Sequence, residues 1–258
     1  MPRTIQTFGN MKITMKAIAA LMLSMAMVFA VGCKPDNEPN NDSNNLPGNE
    51  PSDVPTNENG HGVYNGNYEY VDLGLPSGTL WATFNVGAGS PEGVGDQFAW
   101  GETEPKENYC WETYKYFGGY RHVVITKYND SDGLINLEPS DDAATVKWGT
   151  EWCTPTSNQF YELFSNTTGT MTSQNGKNGR LFTASNGNSI FLPTNDTVEY
   201  SSGPCEVGLY WGRGIVVDPY KEMASDLVFE WDNGYCGTDS DWDYRYCGHS
   251  IRPVRSSR

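Results

Sequence analysis

The chain has 258 residues, long enough for one or two domains with a sizeable core, and a formal net charge of −15 at pH 7. The first 33 residues hold three of the 17 basic residues and none of the 32 acidic ones, so the rest of the chain carries 14 basic and 32 acidic residues, a formal charge of −18. Binding to phosphate backbones and anionic lipid headgroups relies on lysine and arginine, so this charge argues against nucleic acid and against anionic membrane surfaces as partners.

A short apolar segment follows two lysines near the N-terminus and runs over about fifteen residues, from 17 to 31. A membrane-spanning helix needs about 20 residues, whereas a basic start, a short apolar run and a small-residue exit are typical of a secretion signal. The exit "AVGC", which ends at Cys33, resembles the lipobox of bacterial lipoproteins, in which the signal is cut before a cysteine that then carries lipid. We therefore predict a signal peptide over residues 1–32 and lipidation of Cys33. An ordinary signal peptide followed by an unrelated cysteine is the alternative.

The segment after Cys33 is strongly polar. Residues 34–60 contain five prolines, eight asparagines and six acidic residues. Such a composition cannot bury enough apolar surface to offset the entropy lost on ordering, so we predict a disordered acidic tether over residues 33–62. Asp36 and Glu38 resemble the surface-export signals of some Gram-negative lipoproteins, which indicates a lipid-anchored protein of the outer membrane, exposed on the cell surface.

From about Val63 the chain becomes rich in aromatic residues and glycine. The stretches "YEYVDLGL", "TLWATFNVGA" and "QFAWGE" predict strands bounded by glycine and proline. Two helices are predicted: "SDDAATVKW", with Ser140 as N-cap, and the segment after Thr156, which forms a capping box with Gln159. Asn-Gly pairs in "QNGKNGRLFTAS" and "ASNGNSIFLP" indicate hairpin turns. The pattern predicts one α+β domain over residues 63–258.

Seven blocks in chain order resemble the Fibrobacter succinogenes major paralogous domain, which is abundant in lipoproteins of gut bacteria. They are "YVDLGLPSGTLWATFNVGA", "GDQFAWGETEPK", "LEPSDDAATVKWG", "WCTPTSNQFYEL", "NGNSIFLP", "GLYWGRG" and "GHSIRPV". The similarity covers about Tyr68 to Val254. It implies a C-type lectin-like fold with two helices, short antiparallel strands and a variable C-terminal loop surface. The segment from Trp152 to Leu163 also resembles the start of a helix in formylglycine-generating enzymes, which share that fold.

Several positions depart from the family pattern. Cys153 stands where arginine is usual, and Gly212, Arg213 and Gly214 stand where serines are common. Cys236 and Cys247 lie where aromatic residues are frequent. A ligand common to the family therefore does not follow from the resemblance.

Calcium binding and catalysis both lack their usual motifs. Asp239, Asp241 and Asp243 alternate as oxygen ligands do, but the glycine and the distal glutamate of a calcium loop are missing. No serine lies in a Gly-x-Ser-x-Gly motif, and Cys236 and Cys247 are too far apart for the closely spaced cysteine pair of formylglycine-generating enzymes. We therefore predict no metal, no cofactor and no catalytic residue, and a protein that is not an enzyme.

Five cysteines remain after Cys33, which are Cys110, Cys153, Cys205, Cys236 and Cys247. Disulfides are possible in an exported protein, but the odd number leaves at least one thiol unpaired within a single chain. A Cys236–Cys247 bridge and a buried pair of thiols both stay open as interpretations.

The C-terminal region from Leu209 to His249 interleaves aromatic residues and arginine with aspartate, glycine and serine. Tyrosine, tryptophan and arginine dominate binding hot spots because they offer a large contact area with few torsions to immobilise. Aromatic faces also stack on sugar rings. We expect a ligand site on the C-terminal loops, formed by Arg213, Asp241, Trp242, Tyr244 and Tyr246.

These features predict a lipid-anchored surface protein that binds a glycan or a protein through its C-terminal loops. Three alternatives stay open. The chain could be a structural surface protein without a specific ligand, an enzyme related to formylglycine-generating enzymes, or a binding protein diversified by a retroelement. Buried C-terminal rings would favour the first, and a compact pocket with a thiol or a histidine–carboxylate pair the second. A template repeat in neighbouring DNA would indicate the third.

The lipidation of Cys33 is directly testable. Cys33→Ala should release the protein in soluble form or leave it as an unprocessed precursor, because the signal then lacks the residue that is lipidated. Palmitate labelling and detergent phase separation measure the outcome, with Cys110→Ala as the matched control. Normal cleavage and unchanged membrane retention of Cys33→Ala would contradict this prediction.

Overall fold

The computed structural model describes most of the folded part of the chain. The described residues are 53–54, 60–64, 67–120, 123–200, 203–216, 220–231 and 238–256. The predicted signal peptide, Cys33 and residues 34–52 lie outside them. Within the described part, no helix is both long enough and apolar enough to cross a membrane.

Short strands dominate the described chain. The strands are β1 Asp53–Val54, β2 His61–Tyr64, β3 Tyr68–Asp72, β4 Thr79–Ala82, β5 Phe117–Gly119, β6 Val124–Ile125, β7 Thr167–Gln174, β8 Lys177–Ala184, β9 Ser189–Pro193, β10 Asp196–Tyr200, β11 Gly203–Ile215, β12 Met223–Trp231, β13 Thr238–Tyr244 and β14 Val254–Ser256. The helices are α1 Ala143–Trp148 and α2 Ser157–Asn166, and short 3-10 turns lie at Trp111–Thr113 and Pro139–Asp141.

The strands form four antiparallel sheets in the described residues. Their strand orders are β1-β2-β3-β4-β14, β10-β11-β12-β13, β7-β8-β9 and β5-β6. Three clusters of buried apolar side chains pack among the described sheets, a small one of Val198, Cys205 and Val207 and two large ones. One large cluster is built around Trp100, Trp148 and Trp152, and the other around Trp81 and Phe160.

The expectation of an α+β, C-type lectin-like fold is wrong. The protein is mostly β, and its two described α-helices, of six and ten residues, are too small to form a layer of their own. The region after Pro193, expected to hold strands and long polar loops, contains the 13-residue β11 and the nine-residue β12. Sequence reasoning gave the helices too much weight because their caps are strong local signals, whereas glycine-rich strands with mixed burial show little alternation.

Local signals nevertheless located several elements correctly. The capping box between Thr156 and Gln159 is present at the start of α2, and α1 covers the predicted segment with Asp142, rather than Ser140, as its N-cap. Asn175 and Gly176 both have positive φ, 48° and 80°, and join β7 to β8 as a two-residue hairpin turn requires. The predicted strand "QFAWGE" is wrong, since its only ladder contact in the described chain is an isolated bridge between Phe98 and His249.

Strand pairing begins earlier than the predicted domain boundary at residue 63. β2 starts at His61, and Asp53 and Val54 of β1 pair with Tyr64 and Val63. The last residues of the predicted tether therefore extend the first sheet.

Cysteine pairing is partly defined. Cys153 is disulfide-bonded, whereas Cys110, Cys205 and Cys247 lie outside any disulfide. The Cys236–Cys247 bridge is therefore not formed; Cys236 itself lies outside the described residues.

The C-terminal segment crosses the middle of the molecule and is held there by arginine side chains. Arg252 is fully buried, its Nε donates to Asn85 Oδ1 at 2.8 Å, and its Nη1 donates to the carbonyl oxygens of Thr83 and Ala82 at 2.9 and 3.3 Å. Burial lowers the pKa of Arg252 to about 10. A buried cation is costly unless it is hydrogen-bonded, so these three acceptors hold the segment against the turn after β4.

Replacing Arg252 with methionine tests this role. Arg252→Met should lower the free energy of unfolding by about 1–3 kcal/mol, because Asn85 and two carbonyl groups lose a buried donor. Urea denaturation measures the change. Lys221→Met, which removes a surface cation, should change stability by less than about 0.5 kcal/mol. Equal or higher stability of Arg252→Met would contradict this role, because an apolar side chain would then hold the segment equally well.

Candidate functional site

Strand β13 presents aromatic side chains outward and an aspartate inward. Successive side chains of a strand point to opposite faces, so Trp242 and Tyr244 share one face and Asp243 occupies the other. Trp242 and Tyr244 are 50% and 37% exposed. Asp243 instead reaches the buried His249.

The exposed rings of β13 belong to a larger surface, here called the aromatic strip. Its members are Trp111, Phe117, Tyr120, Tyr220, Trp242, Tyr244 and Tyr246. At one end Tyr220 stacks on Trp242, with centroids 6.2 Å apart and an interplanar angle of 18°. In the middle Tyr244 stacks on Tyr246 at 5.6 Å and 10°.

Trp111 connects the middle of the strip to its other end. Its ring meets Tyr246 and Tyr244 edge to face, at 4.7 and 5.9 Å, and stacks on Phe117 at 5.7 Å. Phe117 in turn contacts Tyr120, 4.8 Å away. Five rings are thus joined by direct contacts, and Trp242, on the same face of β13 as Tyr244, places the Tyr220–Trp242 pair beside them.

Polar contacts hold the Trp111 end of the strip in place. Thr113 Oγ1 donates to the carbonyl oxygen of Asn108 at 2.7 Å, which closes the 3-10 turn that carries Trp111. The hydroxyl of Tyr120 donates to Glu112, and this hydrogen bond raises the pKa of Tyr120 to about 12. The same contact lowers the pKa of Glu112.

Asp141 anchors the β5–β6 hairpin that supplies Phe117. Lys115 and Lys127 donate to its carboxylate at 2.9 and 2.6 Å, and the Tyr128 hydroxyl donates at 2.7 Å. Burial alone would raise the pKa of Asp141, but the hydrogen bonds from Lys127, Tyr128 and Lys115 outweigh it and hold the pKa well below its ordinary value. The charged network therefore persists at neutral pH.

A buried histidine supports β13 from below. His249 is fully buried and stacks on Trp211, with ring centroids 4.0 Å apart. Its Nε2 lies 3.1 Å from Asp243 Oδ2, and its Nδ1 lies 3.8 Å from Asp226 Oδ2. Burial alone would raise the pKa of Asp243, but the hydrogen bond to His249 and the proximity of that ring hold it below its ordinary value.

The structure brings together three of the five predicted site residues, Trp242, Tyr244 and Tyr246. Arg213 lies elsewhere, since its Nε and Nη2 donate to the Leu137 carbonyl at 3.3 and 3.2 Å, near the start of the helical region. Asp241 pairs through its backbone with Asp226, and its side chain is outside the described part of the structure.

Sequence reasoning missed the half of the strip that lies before α1. Trp111, Phe117 and Tyr120 belong to "YCWETYKYFGGY", which has six aromatic residues within residues 109–120. This density of aromatic residues is the sequence signal that indicates the segment as part of a binding surface. Tyr220 lay inside the C-terminal region but was not selected as a contact residue.

The described residues contain no group of three or more histidine, cysteine, aspartate or glutamate side chains arranged to hold a metal ion. Neither a scan of protein-family models nor searches of curated proteins and of solved structures gave a match to this chain. The site is therefore interpreted from its own geometry.

The contact between Asp243 and His249 makes stability depend on pH. The pKa of Asp243 is lower in the folded than in the unfolded chain, so its ionised form stabilises the fold above about pH 4, and the contribution is lost as pH falls through the folded pKa. Asp243→Asn should lower the free energy of unfolding at pH 7 by about 1 kcal/mol, with the difference disappearing in strong acid.

Urea titrations at a series of pH values measure this dependence. Asp130→Asn is the control, since that carboxylate is 76% exposed and pairs with Lys221 on the surface. The control should stay within about 0.5 kcal/mol of the unmodified protein. A pH-independent loss in Asp243→Asn would mean that its charge does not contribute.

Proposed function

We propose that this protein is a lipid-anchored surface protein of a bacterial cell that binds its ligand on the aromatic strip. The observation that carries the proposal is a surface of seven aromatic rings, five joined by direct contacts and two stacked on each other beside them, of which four are at least 37% exposed. Contiguous exposed aromatic surface costs solubility and is found where a partner binds.

The side chains of the strip are also held in place by contacts within the protein before a ligand binds. Its stacked pairs, Tyr220 with Trp242 and Tyr244 with Tyr246, limit the torsions of four rings. The contact between Asp243 and His249 supports β13 from its inward face. The hydrogen bond from Tyr120 to Glu112 holds the end of the strip that contains Trp111. A surface ordered in advance loses less entropy on binding, which favours affinity.

The N-terminal features supply the cellular setting of the proposal. Lipidation at Cys33 and an acidic tether would hold the strip away from the membrane, where a large extracellular ligand can reach it. Several acyl chains together would make the anchor durable, since one chain alone binds only reversibly. The blocks that resemble the Fibrobacter succinogenes major paralogous domain support the same setting, because that family is abundant in lipoproteins.

The proposal predicts that exposed rings serve binding rather than folding. Trp242→Ala and Tyr244→Ala should leave the melting temperature nearly unchanged, because the two side chains are 50% and 37% exposed. Both variants should abolish the signals that the full chain gives on an array of glycans and proteins. A true aromatic anchor is worth about 2 kcal/mol or more, about thirtyfold in affinity. Thermal unfolding and array binding are measured on the same samples.

Tyr161→Ala provides the matched control. Tyr161 is 69% exposed on α2 and is not a member of the aromatic strip, so its loss should alter neither stability nor binding. If the two strip variants bind as well as the unmodified protein, the functional surface lies elsewhere. If both unfold, the rings belong to the core, as in a purely structural surface protein.

A further inference from the structure

We infer that the ligand of the aromatic strip is an uncharged glycan, a chain of neutral pyranose units. This inference rests on the proposed function and adds the chemical class of the ligand. It follows from the negative charge beside the strip, from the hydrogen-bond acceptors that this charge provides, and from the open, repeating arrangement of the rings.

The charged group beside the strip disfavours an anionic ligand. Glu112 follows Trp111, is exposed, and accepts a hydrogen bond from the strip residue Tyr120. The pKa of this carboxyl group is lowered, so it is ionised at neutral pH. A uronate, sulfate or sialate bound here would face a like charge, which costs binding free energy.

The described cations nearby are engaged by the protein itself. Lys221, next to Tyr220, pairs with Asp130. Arg245, next to Tyr244, is fully buried, donates to the Tyr128 carbonyl at 3.0 Å, and lies 5.0 Å from the Trp100 ring centroid. The guanidinium therefore points into the core and not toward a ligand on the strip.

The same carboxylate suits the hydroxyl groups of a sugar. An ionised carboxylate only accepts hydrogen bonds and offers about four lone-pair positions, whereas each sugar hydroxyl has a proton to donate. Hydrogen bonds to ionised acceptors are about twice as strong as those between neutral groups. Glu112 thus orients a sugar chain whose apolar ring faces lie on the aromatic side chains.

The shape of the strip favours a repeating ligand over a folded protein. Protein hot spots concentrate in a desolvated centre ringed by other contacts, whereas these rings follow one another from Tyr120 through Trp111 to Tyr244. Trp242 lies on the same face of β13 as Tyr244 and extends this row. An open row of rings matches a ligand whose own flat faces repeat. A chain of pyranose rings has such faces along its whole length, and a peptide of mixed sequence does not.

The test titrates the full chain, kept in detergent, with defined probes. The neutral probes are cellohexaose, xylohexaose, mannohexaose and dextran; the charged probes are heparin, polygalacturonate and a lysine-rich peptide. We expect at least one neutral glycan to bind, with affinity that increases with chain length and changes less than about twofold between about 50 and about 500 mM NaCl. Calorimetry should show a negative heat-capacity change, as apolar ring faces leave water.

Variants assign the binding to the strip. Trp242→Ala should weaken binding of the neutral glycan about thirtyfold, and Tyr220→Ala, on a different part of the chain, should also weaken it. Tyr161→Ala should stay within about twofold. The Tyr220 variant keeps the test decisive if Trp242→Ala fails to fold.

The outcomes separate the ligand class from the proposed function. Strip-dependent binding of heparin, polygalacturonate or the peptide, without binding of any neutral glycan, would overturn the neutral-glycan inference and leave the strip as a binding surface. Binding of no probe, or binding that Trp242→Ala and Tyr220→Ala leave unchanged, would overturn both.

Discussion

The placement of the aromatic strip depends on buried guanidinium groups in the C-terminal segment. Arg245, Arg252 and Arg255 are all at most 2% exposed. Arg252 and Arg245 donate to backbone carbonyls and to Asn85, and Arg255 lies over the rings of Tyr70 and Trp152 at 5.3 and 5.6 Å. A buried guanidinium is costly unless it is hydrogen-bonded or packed against aromatic faces, so these contacts favour one arrangement of the segment.

The position of this segment also determines the position of β13, which precedes it in the chain. Arg245 directly follows β13, and its contacts with Tyr128 tie the end of that strand to the loop after β6. His249 adds a second tie through Asp243, and its ring stacks on Trp211 in the core. The outward face of β13 is consequently held in place from below, while Trp242 and Tyr244 on that face are 50% and 37% exposed. A rigid frame below and exposed rings above is the arrangement that a binding surface requires.

Sequence signals that involve only neighbouring residues predicted the local structure well. The capping box of α2 needs only Thr156 and Gln159, and the β7–β8 turn needs only Asn175 and Gly176, because neighbouring atoms satisfy the hydrogen bonds and dihedral angles in each case. The C-terminal half of the candidate site was predicted from its residue types alone. Its other half, around Trp111, was not, since nothing local indicates that this segment packs against β13.

By itself, the sequence determined the acidic charge, the positions of the two capped helices and the aromatic content of the C-terminal region, because composition and local hydrogen bonding decide these properties. Only the tertiary structure decided that the chain is mostly β, that Arg213 binds the Leu137 carbonyl, and that Trp242 is exposed while Arg245 is buried. Aromatic and arginine side chains suit a core as well as a surface. Which role each takes depends on partners far away in the chain, and those partners meet only when the sheets pack.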